Sequence, residues 1–154
     1  MGSSDTSEKI DVVQVVGFDG SEPARRALAA ATEWLQSVPG RMEVVFVAHV
    51  PTTVMLSAGG VAAMQEGFDR EESELEQDVA ETLGGSEVKW HFQRRNGDIA
   101  PELIAAGEEQ LELAGPSTHV VLVVGGSGHK IDRYLNSTPA RVIRQDRLEV
   151  VVVP

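Results

Sequence analysis

Five consecutive large apolar residues at positions 120–124 are followed by Gly125, Gly126, Ser127 and Gly128. Such a run is typical of a strand buried on both faces of a parallel sheet, and the glycines allow the backbone to turn sharply beside a ligand. Three capping residues and a proline then predict the start of a helix: Asn136, Ser137, Thr138 and Pro139. Because free N–H groups at a helix start attract anions, the stretch is a candidate phosphate-binding loop. Similar glycine turns in other α/β proteins only lead a strand into a helix, and this one matches neither a Walker A loop nor the G-x-G-x-x-G pattern.

The rest of the chain alternates between strand-like and helix-like segments. Val-rich or alternating apolar patterns predict further strands at residues 10–18, 42–50, 88–94 and 148–153. Apolar residues at helical spacing, with caps before them and glycine or proline after them, predict helices at residues 21–35, 61–83, 98–113 and 139–144. This alternation predicts one doubly wound, Rossmann-like α/β domain. Its five-stranded parallel sheet would have the order 3-2-1-4-5, with helices on both faces.

Two residues at the predicted strand ends are candidates for a ligand site. In a doubly wound sheet the ligand crevice lies beyond the carboxyl ends of the strands, where the winding reverses between the first and fourth strands. Asp19 follows the first strand and Gly125 ends the fourth. We therefore expect both to face one crevice. Asp19 could alternatively only shape the turn by accepting hydrogen bonds from backbone amides.

Composition narrows the class of protein. The chain has 154 residues, enough for one domain at residues 10–154 after a polar, flexible tail at residues 1–9. A formal net charge of -11 argues against a nucleic-acid or anionic membrane partner. There is no cysteine, which excludes disulfides, thiolate catalysis and zinc-thiolate sites. No apolar run is long enough to span a membrane, so we expect a cytoplasmic protein.

Two surface features of the predicted domain follow from the sequence. The helix at residues 61–83 carries many acidic residues on the side opposite its apolar stripe, which we interpret as a solvated face because no calcium-loop spacing is present. The last strand contains four consecutive valines at positions 150–153, too apolar for an open sheet edge. A second copy of the same strand would cover it most simply, which predicts a homodimer.

The sequence resembles the universal stress protein family. The resemblance is carried by residues 15–23 (VVGFDGSEP) at one end and residues 125–154 at the other. It also includes His49-Val50 at the end of the second strand, Gly97-Asp98 before the third helix and the RVIR segment before the last strand. It covers nearly the whole chain from Val12 onward.

The resemblance implies a homodimeric stress-response regulator that binds an adenine nucleotide, ATP or AMP, with Mg²⁺ left open. Asp19 would contact the ribose, and the main chain at Val50 the adenine edge. The phosphate loop would contain Gly125, Gly128, Asn136, Ser137 and Thr138. In the family's ATP-binding branch nine residues separate G-x-x-G from G-S/T, whereas here seven residues separate Gly128 from Asn136, which replaces the second glycine. The alternative is a scaffold of the same family that binds proteins and no nucleotide. The sequence offers no recognisable catalytic arrangement, so any ATP hydrolysis would be slow and incidental.

Overall fold

The structure, a computed structural model, describes residues 10–49, 58–126 and 148–154. From β1 to β4 strands and helices alternate as predicted. In chain order the elements are β1 (Val12–Gly17), α1 (Glu22–Leu35), β2 (Gly40–Ala48), α2 (Ala58–Leu83), β3 (Lys89–Asn96), α3 (Ile99–Leu113), β4 (His119–Gly125) and β5 (Leu148–Val153). The predicted tail at residues 1–9 and the predicted helix at 139–144 lie outside the described residues.

All five strands are parallel and form one sheet in the order β3-β2-β1-β4-β5, which confirms the predicted fold class. Val16 of β1 pairs with Val44 of β2 on one side and with Val123 of β4 on the other. The chain first winds outward from β1 to β3 and then returns to β4, so the winding reverses between β1 and β4. The carboxyl ends of these two central strands therefore meet at one edge of the sheet.

Helices cover both faces of the sheet, as alternating side chains of β1 show. Val12 and Val16 belong to the core formed with α1 and α2, while Val13 and Val15 belong to the core formed with α3. The predicted apolar stripe of α1 is confirmed, since all four of its members are buried: Ala24, Leu28, Ala31 and Leu35. Burial of the central strands from both sides explains why they consist of nearly continuous valine.

Several predicted boundaries differ from the structure by a few residues. The second strand was predicted at 42–50 but runs from Gly40 to Ala48, because Gly40 already pairs with Val12 of β1. The first strand is shorter than predicted, and α2 begins three residues earlier than predicted. The prediction that Leu113 contributes apolar packing is wrong. Its side chain is 76% exposed, because the buried stripe of α3 ends at Leu111.

The outer strand β3 carries charge, as expected for an edge strand. Phe92 is buried while Lys89 and His91 are exposed, which confirms the predicted alternation. Arg94 forms ion pairs with Asp69 and Glu72 on α2. Part of the acidic face of α2 therefore binds basic side chains, although most of it is exposed as predicted. None of the described helices is both long and apolar enough to cross a membrane.

Candidate functional site

A cavity of about 120 Å³ opens at the carboxyl ends of β1, β2 and β4. Asp19 and Gly125 both line it, as the sequence predicted. Its position coincides with the point where the winding of the sheet reverses, which is where ligands bind in folds of this type. The rest of the described wall is mainly apolar and comes from β1, α1, β2, α3, β4 and the turn after β1: Gly17, Phe18, Ser21, Pro23, Ala24, Val45, Val47, Ile99, Leu103 and Val124.

The turn between β1 and α1 is built from three consecutive residues. Asp19 is exposed, and its Oδ1 accepts a hydrogen bond of 2.9 Å from the backbone N–H of Ser21. Gly20 lies in the left-handed region with φ of 78°, where side chains are disfavoured. Ser21 is the N-cap of α1, and its Oγ accepts a hydrogen bond of 3.3 Å from the N–H of Ala24. The alternative role considered for Asp19, shaping the turn, is thus present in the structure.

The start of α1 is not suited to a phosphate group. Its second residue, Pro23, has no N–H, and the N–H of Ala24 already donates to Ser21. Glu22 adds a negative charge in the first turn, which opposes an anion at this end of the helix. This side of the cavity therefore favours neutral hydroxyl groups, which can donate to the Asp19 carboxylate.

Arg25 connects the turn to α2, a contact that sequence reasoning missed. Its Nε donates to the carbonyl oxygen of Gly20 at 3.1 Å, and its Nη1 donates to Oδ1 of Asp78 at 2.9 Å. The hydrogen bond to Asp78 raises the pKa of Arg25 above its ordinary value. The arginine therefore stays charged at every working pH. The sequence shows only that one predicted helix carries Arg25 and another carries many acidic residues. This is not enough to predict which acidic residue of α2 pairs with Arg25.

The two glycines at the end of β4 have structural reasons that are visible in the packing. A Cβ at Gly125 would lie against the backbone carbonyl of Pro23 and 2.6 Å from its Cβ, closer than real Cβ atoms approach other atoms. An added Cβ at Gly126 would lie only 3.1 Å from the carbonyl oxygen of Val153, which accepts a hydrogen bond of 2.7 Å from the Gly126 N–H. Close packing of α1 on β4 therefore requires glycine at position 125.

The opposite rim of the cavity joins the end of β2 to the start of α3. Asp98 takes the predicted N-cap position of α3 but makes no side-chain capping bond. Its Oδ1 instead lies 3.2 Å from Nδ1 of His49, which is also 3.3 Å from the carbonyl oxygen of Gly97. Ile99, the first residue of α3, is 42% exposed and lines the cavity. A ligand that covers Ile99 would bury this apolar surface.

The remaining predicted site residues lie outside the described part of the chain: Val50, Gly128, Asn136, Ser137 and Thr138. Asp19 is the only charged side chain among the described residues that line the cavity. Within residues 10–49, 58–126 and 148–154 no group of three or more His, Asp or Glu residues could hold a metal ion.

Many solved structures share this fold, among them the following three. The universal stress protein UspA from Lactobacillus plantarum has 15% identity and a TM-score of 0.66, with 95% of this chain and 99% of that chain covered. A universal stress protein in complex with cAMP has 20% identity and a TM-score of 0.58, with 95% and 99% covered. A universal stress protein family protein from Arabidopsis thaliana with AMP bound has 11% identity and a TM-score of 0.56, with 92% and 90% covered. At these identities the likeness shows the fold alone.

The sequence itself matches a family model. A search of curated proteins finds no match. The model of the universal stress protein family, by contrast, matches residues 15–154, which include the Asp19 turn, the cavity walls and the β4 glycines. The chain therefore belongs to the universal stress protein family.

Proposed function

We propose that the cavity at the ends of β1, β2 and β4 binds an adenine nucleotide, ATP or AMP, and that the protein acts as a stress-response regulator. The observation that carries this proposal is a cavity at the point where the sheet winding reverses, whose described lining is apolar apart from Ser21 and one carboxylate, Asp19. Support also comes from two proteins of the same fold that were solved with cAMP and with AMP bound.

The chemistry of the cavity suits the two uncharged parts of such a ligand. Branched aliphatic side chains at Val45, Val47 and Leu103 offer an apolar surface for a flat base. The exposed carboxylate of Asp19 can accept hydrogen bonds from the ribose hydroxyls. The phosphates would then extend from Gly125 toward the glycine loop, where the sequence predicts Gly128 and the segment from Asn136 to Thr138.

Calorimetric titration with ATP, ADP, AMP and cAMP tests the proposal directly. Ile99→Trp is the informative variant, because Ile99 lines the cavity while its exposed side chain contributes little to the folded core. We expect the larger indole to obstruct the cavity and to weaken binding at least tenfold. Leu113→Trp is the matched control, since it changes an exposed residue on the same helix that does not line the cavity.

The titration also separates the two functions considered. Binding by the wild type and the Leu113→Trp control but not by Ile99→Trp supports nucleotide binding in this cavity. No heat with any of the four nucleotides at millimolar concentration refutes the proposal. The short spacing between Gly128 and Asn136 would then favour the alternative function, a scaffold that acts through protein contacts.

The second part of the proposal concerns assembly through β5. Val151 and Val152 are 39% and 42% exposed, and within the described residues β5 pairs only with β4. The opposite edge strand, β3, instead carries Lys89, Arg94 and Arg95. Because charged residues discourage edge-to-edge pairing and valines promote it, we propose that two copies pair through β5.

Light scattering tests this assembly. We expect twice the chain mass of 16.5 kDa at micromolar concentration, and we expect Val151→Lys to give the single mass. Leu113→Lys introduces the same charge at another exposed apolar residue and should leave the dimer intact. A wild-type protein of 16.5 kDa would show that β5 does not mediate a dimer.

A further inference from the structure

Arg25 holds the turn after β1 from outside the cavity. Its guanidinium donates through Nε to the carbonyl oxygen of Gly20 at 3.1 Å. Both terminal nitrogens contact the carboxylate of Asp78 on α2. Planar, two-point pairing of this kind fixes the orientation of a guanidinium better than a single contact does. Neither Arg25 nor Asp78 lines the cavity, whereas Asp19 and Ser21, on either side of Gly20, both do.

The turn needs such support because its central residue is glycine. A glycine reaches left-handed and other backbone regions at similar cost, so the peptide units beside Gly20 can reorient easily. Two contacts oppose this movement. Arg25 binds the Gly20 carbonyl, and Leu75 of α2 fills the space beside Gly20, with its Cδ2 2.8 Å from where a Cβ would lie. Rotation of that carbonyl would also displace the Ser21 N–H that binds the Asp19 carboxylate.

We infer that Arg25 and Asp78 are positioning residues for the Asp19 carboxylate and thereby set the affinity of the site for the ribose of its nucleotide. The inference rests on the proposed function. The chain of contacts runs from Asp78 to Arg25, from Arg25 to the Gly20 carbonyl, and through the turn to Asp19. Removing either end of the ion pair leaves the Gly20 carbonyl less restrained and the carboxylate less well placed.

A purely structural role makes a different prediction. The side chains of Arg25 and Asp78 are 49% and 26% exposed, and exposed ion pairs add little to folding stability. Loss of the pair should therefore have a small effect on the melting temperature. Preorganisation of a binding group, in contrast, acts directly on ligand affinity.

The experiment compares AMP binding by calorimetry in Arg25→Ala, Asp78→Ala and the double variant. We expect each single variant to raise Kd by roughly 3- to 10-fold, and the double variant to raise it no further, as for residues that act through one contact. Asp78→Glu keeps a carboxylate and should retain most of the affinity. Arg94→Ala is the matched control, because it removes an arginine that also pairs with α2, through Asp69 and Glu72, away from the cavity.

Hydrogen exchange gives a readout that needs no ligand. Because Asp19 holds the Ser21 N–H, we expect that amide to exchange several-fold faster in Arg25→Ala than in Arg94→Ala. The inference is overturned if the wild type binds AMP and Arg25→Ala binds it as tightly as Arg94→Ala does. Equal exchange of the Ser21 amide in these two variants overturns it as well. A wild type that binds no nucleotide refutes the proposed function instead, while faster exchange in Arg25→Ala would still show that the turn depends on Arg25.

Discussion

The packing of Gly125 against α1 predicts that the smallest possible substitution there is destabilising. The added methyl carbon of Gly125→Ala would lie 2.6 Å from the Cβ of Pro23 and against its backbone carbonyl. Carbon atoms favour separations of roughly 3.5–4.0 Å, so the start of α1 must move by about 1 Å. Overpacking of a core typically costs about 1–3 kcal/mol. For a chain of this length the melting temperature should fall by roughly 2–12 °C.

Gly67→Ala is the control for this prediction. Gly67 lies inside α2, and an added Cβ there would meet nothing within 4 Å. The same chemical change should therefore increase stability by about 0.5–1 kcal/mol, because glycine loses more conformational entropy than alanine in a helix. Urea unfolding followed by circular dichroism measures both values. A Gly125→Ala protein as stable as the wild type would refute the argument from close packing.

Three further predictions concern other parts of the molecule. Gln14 is fully buried in β1, and neither polar atom of its side-chain amide has a hydrogen-bond partner among the described residues. Gln14→Met removes these two buried polar atoms and should therefore stabilise the protein by about 1–3 kcal/mol in urea unfolding. A destabilised variant would contradict this. Partial burial lowers the pKa of Arg95, but its bonds to Glu102 and Glu109 outweigh this and raise it above its ordinary value. From neutral pH upward the ion pairs of Arg95 are therefore lost only as the pH rises through that pKa. The stability lost in Arg95→Ala should be constant from neutral to moderately alkaline pH in urea titrations, and a loss that shrinks over that range would contradict this. Gly128→Val should abolish nucleotide binding in calorimetry without lowering the melting temperature, because the sequence predicts that Gly128 lies in the glycine loop and not in the buried strand. Intact binding would show that the phosphates lie elsewhere.

The fold was predictable because its patterns are local and repeated. A parallel sheet covered on both faces favours long runs of apolar residues such as valine, whereas a helix on its surface such as α1 needs only one apolar stripe. Both patterns can be recognised in the sequence. Element ends were predicted less well because they depend on pairing between distant residues. Gly40 begins β2 by pairing with Val12, which no property of residues 39–42 alone indicates. Leu113 fits the apolar spacing of α3 but lies past the last residue that the sheet can cover.

The site was predictable only as far as topology determines it. The reversal of winding between the first and fourth strands placed Asp19 beside Gly125, and the structure brings both to one cavity. The contact between Arg25 and Asp78 joins residues 53 apart in sequence, and it depends on how α1 and α2 pack on the sheet. A polar residue in a strand pattern normally indicates an exposed position, so the buried amide of Gln14 could not be recognised either.

Gly125 and Gly126, at the end of β4, are weaker evidence for a ligand site than the sequence alone suggests. In this structure Gly125 is required by the close approach of Pro23, and the end of β5 leaves little room for a side chain at Gly126, where a Cβ would lie 3.1 Å from the carbonyl oxygen of Val153. Both requirements come from the fold and hold whether or not a nucleotide binds. A family member that has lost its ligand should therefore still retain glycine at the position of Gly125. Residues that face the cavity without supporting the fold, such as the exposed Ile99, are free to change once no ligand contacts them. Substitutions at such positions, more than the glycine pattern, should distinguish nucleotide-binding members from scaffolds.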